Sequence, residues 1–245
     1  MIQTTNLTKR FDKNDVLKEI NLQIRKGEFA AVMGQSGCGK STLLYCLSGM
    51  DRPTEGEVRF KNRNLGELSK KETESLRLHH MGFIFQKPNF LKNLSIEDNI
   101  IFPAFQRGGR SRREIIGEAE ALMKAMDIAS VAAKDCREVS GGQLQRAAIC
   151  RAMINGPEIL FGDEPTGALN SSATAEVMDL LGRIHRRGTT VLLVTHNAKV
   201  AVRADRVIYL EDGRVKEELI LGGYDPEEEL SREKRLTGWL NRMGF

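Results

Sequence analysis

The sequence predicts an α/β fold in which buried parallel strands form the core, with an antiparallel β layer at the N-terminal side and an inserted α-helical subdomain. Three observations predict it. The apolar run Phe29-Ala30-Ala31-Val32-Met33 leads into Gly34-Gln35-Ser36-Gly37-Cys38-Gly39-Lys40-Ser41 and then Thr42-Leu43-Leu44-Tyr45-Cys46-Leu47, which is the order strand, glycine loop, helix. Two further apolar runs, Ile159-Leu160-Phe161-Gly162 and Thr190-Val191-Leu192-Leu193-Val194, end in Asp163-Glu164-Pro165 and in Thr195-His196. Short continuous apolar runs of this kind read as strands covered on both faces. From Asn89 to about Met153 the pattern turns helical, which marks the insert.

The glycine loop carries the first chemistry. Glycines at 34, 37 and 39 let successive backbone N–H groups and the positive end of the next helix converge on phosphate oxygens. Lys40 then reaches the β- and γ-phosphates and Ser41 ligates Mg²⁺, with the strand and helix that such a loop requires both in place. A glycine turn that binds nothing is the alternative. Cys38, inside the loop beside a lysine and a helix start, is expected to have an unusually acidic thiol.

Length and composition bound the rest. The 245 residues suit one large α/β domain with a smaller insert and one site half per chain. Hydrophobic content of 40% with 29% charged residues is ordinary for a globular protein, and no apolar run approaches the ~20 residues that span a bilayer. The start, Met1-Ile2-Gln3-Thr4-Thr5-Asn6, lacks the segments of a signal peptide, so the expected location is cytoplasmic. A net charge of +4 is too mild to argue for nucleic acid, and none is expected as a partner. The four cysteines, at 38, 46, 136 and 150, show no metal-ligand spacing.

In chain order, residues 2–32 alternate as strands, with a turn at Arg25-Lys26-Gly27-Glu28. Phe11, among Lys9, Arg10 and Asp12, is either a buried anchor of the β layer or a platform for a purine ring, and its chemistry alone favours the anchor. A turn from Asp51 leads to a strand ending at Phe60, and His79-His80 in the polar stretch after it are expected to face solvent. Met81-Gly82-Phe83-Ile84-Phe85 is a strand stopped by Pro88, which leaves Gln86 at a C-terminal strand edge, where ligands bind in α/β sheets. Ile115, Ala119, Leu122 and Met126 mark one apolar helix face, and the basic run Arg107–Arg113 before it reads as a solvated loop, with contact to membrane headgroups as the alternative.

Ser140-Gly141-Gly142-Gln143 opens a further helix, with Ser140 as its cap, and forms a second anion-binding helix start. At the end of the 159–162 strand, Asp163 suits a Mg²⁺ shell and Glu164 suits polarising an attacking water. Asn170 caps a helix over 171–186, and Asp212-Gly213 closes a hairpin within 205–217. The tail, 223–245, ends in Trp239-Leu240 and Met243-Gly244-Phe245, which dock on the domain or on a partner.

These motifs, in this order over residues 1–222, resemble the ATP-binding subunit of an ATP-binding cassette (ABC) transporter, whose domain is a P-loop NTPase with a RecA-like core. The segment Gly34 to Ser41 matches Walker A, Gln86 the Q-loop, Ser140 to Gln143 the signature motif and Ile159 to Asp163 Walker B. Glu164 matches the catalytic glutamate and His196 the switch histidine. The resemblance implies that Phe11 stacks adenine, that the loop with Thr42 and the Ser140–Gln143 segment bind ATP, and that Ser41, Gln86 and Asp163 surround Mg²⁺. Catalytic roles are implied for Lys40, Gln86, Glu164 and His196.

Val139 replaces a usual leucine, a conservative change expected to keep packing. Gly162 replaces a usual apolar or small residue and Asn170 a frequent aspartate; since neither removes a metal ligand or the base, hydrolysis is expected to survive while coupling between the two sites is open to alteration. The stretch Gly162 to Asn170 is similar to macrolide-export, lipoprotein-release and antimicrobial-peptide-resistance transporters. The resemblance implies a head-to-tail homodimer of ATP-binding subunits on the inner face of the membrane, joined to a membrane-spanning permease subunit. A soluble ABC-type ATPase acting on DNA or ribosomes is the alternative, as is a nucleotide-sensing module without turnover.

Overall fold

A computed structural model describes residues 1–12 and 14–245, which form two compact units: residues 1–73 with 190–245, and residues 74–189. The first unit begins as an antiparallel layer. β1 (Ile2–Phe11) pairs antiparallel with β2 (Asn14–Ile20) and with β3 (Gln23–Ile24). After β4 (Phe29–Met33) and α1 (Lys40–Leu47), β5 (Glu55–Phe60) returns to pair with β1 and with β6 (Arg63–Asn64). Period-2 alternation accounts for most of the layer: Ile2, Leu7, Leu17, Ile20, Ile24, Val58 and Phe60 are buried, with Thr4 and Thr8 buried among them, while Gln3, Thr5, Glu19, Gln23 and Arg59 are exposed.

From α2 (Lys70–His80) the chain passes into the second unit, which holds β7 (Met81–Phe85), α3 (Ile96–Arg107), α4 (Arg112–Ala125), α5 (Gly141–Met153), β8 (Ile159–Asp163) and α6 (Ser171–Arg186). β7 and β8 are parallel, in register from Met81 opposite Ile159 to Phe85 opposite Asp163. Helix starts are written locally. Ser95 with Asp98, Ser111 with Glu114 and Ser140 with Gln143 each form a reciprocal capping box, and Asn170 accepts from the Ala173 N–H at 2.9 Å.

Three expectations change here. On α4 the buried residues are Ile115, Ala119 and Met123, with Met126 buried at its C-terminal cap, while Leu122 is only half-buried. His80 is half-buried, its Nδ1 2.8 Å from Glu158 Oε1, and His79 Nδ1 lies 2.7 Å from the Ser75 carbonyl, so neither ring simply faces water. The basic run is also not wholly solvated: Arg107 donates to the Asn155 carbonyl at 2.5 Å, and Arg110 donates to the Ile154 carbonyl at 3.1 Å and to Asn155 Oδ1 at 2.6 Å. Arg112 and Arg113 remain exposed.

The chain re-enters the first unit with β9 (Thr190–Val194), α7 (Ala198–Ala201), β10 (Arg206–Glu211), β11 (Arg214–Ile220) and α8 (Glu229–Arg242). β4 lies between β9 and β10, parallel to both, and β11 folds back antiparallel on β10 through Asp212-Gly213. Every residue of β4 and β9 is buried, as parallel strands covered on both faces require. Polar contacts align the starts of β4 and β10: the Phe29 N–H donates to Asp205 Oδ2 at 2.9 Å, and the half-buried Arg206–Glu28 ion pair closes at 2.6 Å.

The tail docks on this same unit. Arg232, 4% exposed, donates to the carbonyls of Val202, Ala204, Leu221, Gly222 and Gly223 at 2.9–3.2 Å. Trp239, 2% exposed, meets Tyr209 edge to face with ring centroids 6.0 Å apart, and Phe245 does so at 6.1 Å. Trp239→Ala is expected to cost about 3–5 kcal/mol in urea unfolding of the full chain. An unchanged unfolding midpoint would remove α8 from the core.

Candidate functional site

The glycine loop is shaped by what lies against it. A Cβ at Gly34 (φ 154°) would stand 2.1 Å from the Leu210 carbonyl oxygen of β10, and one at Gly39 (φ 102°) would stand 2.8 Å from the Val16 carbonyl oxygen. At both positions left-handed backbone coincides with a close approach that only glycine accepts. Lys40, the first residue of α1, is buried, and its ammonium donates to the carbonyls of Gly34 at 2.9 Å and Gln35 at 2.8 Å. The loop is thereby folded over its own cation.

Helix α1 has Gly39 as its N-cap, with no side-chain cap hydrogen bond and no acid in its first turn. An uncapped start with a fixed ammonium beside it favours an anion, and phosphate most of all. Beside the loop is a cleft of about 400 Å³ whose walls come from Gln35, Ser36 and Cys38, from Asp15 and Lys18 of β2, and from Asp212 of the β10–β11 turn.

Phe11, at the end of β1, is 47% exposed, with Lys9 Nζ 4.7 Å from its ring centroid. It is not the buried anchor that its chemistry favoured, because β1 ends beyond the apolar layer. In the parallel pairing of β4 and β9, Val32 stands opposite Val194 and accepts through its carbonyl from the Thr195 N–H at 3.1 Å. His196 is therefore exposed at the strand edge from which the glycine loop departs. Cys38 departs from expectation: burial raises its thiol pKa, outweighing the opposite pull of the Lys40 ammonium 4.0 Å away.

The second unit gathers the other group. Because Phe85 pairs with Asp163, Gln86 and Glu164 follow at matching positions on adjoining strand ends. Gln86 is exposed, Asp163 and Glu164 are half-buried, and Glu164 holds a left-handed backbone at φ 48° that aims the chain into Pro165. A Cβ on Gly167 would lie 2.7 Å from Gln86 Nε2, so Gln86 rests on the segment after the two acids. At the start of α5, Ser140 Oγ accepts from the Gln143 N–H at 3.2 Å and the Gln143 side chain accepts from the Ser140 N–H at 3.0 Å, with Gly141 exposed beside them.

The structure thus assembles the loop, Lys40, Ser41, Thr42 and His196 in one unit, and Gln86, Asp163, Glu164 and Ser140 to Gln143 in the other. Asp15, Lys18 and Asp212 escape a reading of the sequence: Asp212-Gly213 is legible as a turn, but its place beside the loop depends on long-range pairing of β10 with β4.

A buried lysine folded under a glycine loop, at the start of an uncapped helix on the carboxyl edge of parallel strands, defines the class of α/β proteins that grip phosphate through a P-loop. Within that class, residues 17–167 match the family described as ABC transporter, and the chain belongs to it. The chain is 41% identical over 221 residues to the macrolide export ATP-binding/permease protein MacB 1 of Aeromonas hydrophila, covering 88% of this chain and 34% of that one. It is 38% identical to MacB of Campylobacter jejuni over 254 residues, covering 100% of this chain and 38% of that protein.

The chain therefore spans 34–38% of the length of these relatives. Among solved structures, the dimeric post-hydrolysis ATP-binding cassette MJ0796 bound to ADP and Pi has a TM-score of 0.85 at 37% identity, over 91% of this chain and 100% of that one. CbiO1 of Clostridium perfringens, part of the ABC transporter complex cbiONQ, has a TM-score of 0.82 at 28% identity, over 98% of this chain and 94% of that one. The fold is that of ATP-binding cassettes, and these relatives give no support to an ATPase acting on DNA or ribosomes.

Two outcomes test the loop. Gly34→Ala is expected to destabilise the chain by roughly 3 kcal/mol or more, whereas Gly37→Ala, with open space around it, costs only about 1–2 kcal/mol for its φ of 80°; denaturant midpoints compare the two. Cys38 is expected to alkylate more slowly than free cysteine at neutral pH, its rate climbing through a midpoint above the ordinary 9.0, as peptide mass spectrometry over a pH series can follow. A midpoint below that value would reverse the assignment.

Proposed function

We propose that this chain is the ATP-binding and ATP-hydrolysing subunit that powers a membrane ABC transporter of the export, lipoprotein-release or antimicrobial-peptide-resistance type. The observation that carries this reading is Lys40, buried and held by the Gly34 and Gln35 carbonyls at the uncapped start of α1. The fixed lysine and the first N–H groups of α1 neutralise the phosphates of ATP, and Phe11, exposed and already paired with a cation, offers its ring to adenine.

Ser41, Asp163 and Gln86 supply hard oxygen donors of the kind Mg²⁺ takes, and these are the residues that would hold it. Bound there, Mg²⁺ neutralises charge on the β- and γ-phosphoryl oxygens. Glu164 polarises the attacking water, His196 stabilises charge that develops on the transferring group, and Gln86 positions the water beside Glu164.

Two copies pair head to tail, each presenting Ser140 to Gln143 to the phosphates held by the other. A helix start with a small, exposed backbone at Gly141 suits that contact. Among the described residues no helix is long and apolar enough to cross a membrane. In this reading a permease partner does the membrane work, with this subunit on the inner face. In the second unit Leu91, Phe102 and Phe105 are exposed large apolar side chains on and before α3, and they offer the surface on which a helix of the permease docks. ATP closes the dimer, hydrolysis reopens it, and the motion passes to the permease.

Glu164→Gln decides whether this is an engine or a sensor. The variant is expected to bind ATP as tightly as wild type while turnover falls by roughly 10²–10⁴-fold, with the dimer persisting in ATP on size-exclusion chromatography. Equal, negligible turnover in both proteins would instead mark a module that binds without hydrolysis.

A further inference from the structure

The Gln86 loop has no regular secondary structure, yet its flanks are gripped by two side chains from α5. Gln145, 2% exposed, donates through Nε2 to the Phe85 carbonyl at 3.3 Å, one residue before Gln86. Arg151, on the same helix, donates through Nη2 to the Pro88 carbonyl and through Nη1 to the Asn89 carbonyl at 3.3 Å, two and three residues after Gln86. Its guanidinium also lies 4.5 Å from the centroid of the Phe90 ring. Burial lowers the Arg151 pKa to about 10, which still leaves the group charged at neutral pH and its hydrogen bonds charge-assisted.

We propose that Gln145 and Arg151 are positioning residues for Gln86: by holding the carbonyls on both sides of it, they make its placement a property of α5, the helix that begins at Ser140. The step beyond the ATPase reading, on which it rests, is that the glutamine beside the attacking water and the helix start offered to the partner's phosphates move as one body. Without these grips the loop is fixed by strand pairing on its β7 side and, five residues beyond Gln86, by Asn99 of α3, which accepts from the Leu91 N–H at 2.8 Å and donates to the Leu91 carbonyl at 3.1 Å. A loop tethered only at those two ends would leave Gln86 free to wander by an ångström or more, enough to cost catalysis heavily. Removing Arg151 also takes a charge-assisted donor from the half-buried Pro88 carbonyl and from the exposed Asn89 carbonyl, which favours opening of that segment.

The full chain tests this in two readouts, with Arg151→Met, Arg151→Lys and Gln145→Ala compared with wild type. In hydrogen exchange, amides of residues 86–91 are expected to exchange roughly tenfold faster in Arg151→Met and Gln145→Ala, while amides of α6 keep wild-type rates. Arg151→Lys, which retains one cationic donor, is expected to fall between. Unchanged exchange in residues 86–91, or acceleration spread evenly over residues 74–189, would overturn the proposal.

In steady-state ATPase assays kcat is expected to fall roughly 10- to 100-fold in Arg151→Met with KM within about twofold. In a Gln86→Ala background the same substitution should have no further effect. An equal further loss in that background would mean that Arg151 acts apart from Gln86, and would equally overturn it. A wild type without turnover sinks the ATPase reading while leaving the exchange result to decide the positioning.

Discussion

The approach of β10 to the end of β4 is the constraint on which the phosphate loop depends. With Met33 opposite Tyr209 in a parallel pair, the next residue of each strand crowds the other, and the Leu210 carbonyl occupies the space a side chain at 34 would need. The chain leaves β4 through a backbone that only glycine adopts without strain, and a second contact, with the Val16 carbonyl at Gly39, bends it into α1. Lys40 then ties the loop from inside. Glycine gives the loop its shape, but neighbouring carbonyls remove its freedom. A loop pre-ordered in this way loses little conformational entropy when it meets an anion.

Much of this was legible because its causes are local. Buried parallel strands announce themselves as unbroken apolar runs, and β4, β8 and β9 lie where Phe29–Met33, Ile159–Phe161 and Thr190–Val194 suggested. The caps at Ser140 and Asn170 needed only residues within three positions, as did the Asp212-Gly213 turn. The expectations that changed for His80 and for the basic run depended on residues distant in sequence. Glu158 meets His80 across 78 positions, Asn155 draws in Arg107 and Arg110 across more than 40, and no periodicity encodes either pairing.

The buried-anchor reading of Phe11 and the acidic-thiol reading of Cys38 failed for a related reason, since exposure and desolvation belong to the assembled surface and not to neighbours along the chain. An aromatic among charges usually seeks cover, and a thiol beside a lysine usually ionises more readily. Here β1 runs past the edge of its apolar layer, and the packing that shields Cys38 acts more strongly than one ammonium at 4.0 Å. The tail posed the same problem in milder form. Its aromatics were recognisable as something to be buried, but only Tyr209 and the carbonyls around Arg232 reveal where.

Helix α5 shows what such long-range ties achieve. Its first turn is closed by the Ser140–Gln143 box, Arg146 pairs with Glu176 of α6, and the carbonyls at its far end accept from Arg107 and Arg110. With both ends satisfied, the helix has little tendency to fray, and fraying is the ordinary way in which a helix loses its grip on what it contacts. Gln145 and Arg151 project from this secured rod to a loop that has no regular structure to hold it, so order flows from helix to loop and not the reverse. A displacement of α5 must then carry the Gln86 flanks with it, because staying behind would break three carbonyl contacts at once, two of them to half-buried residues.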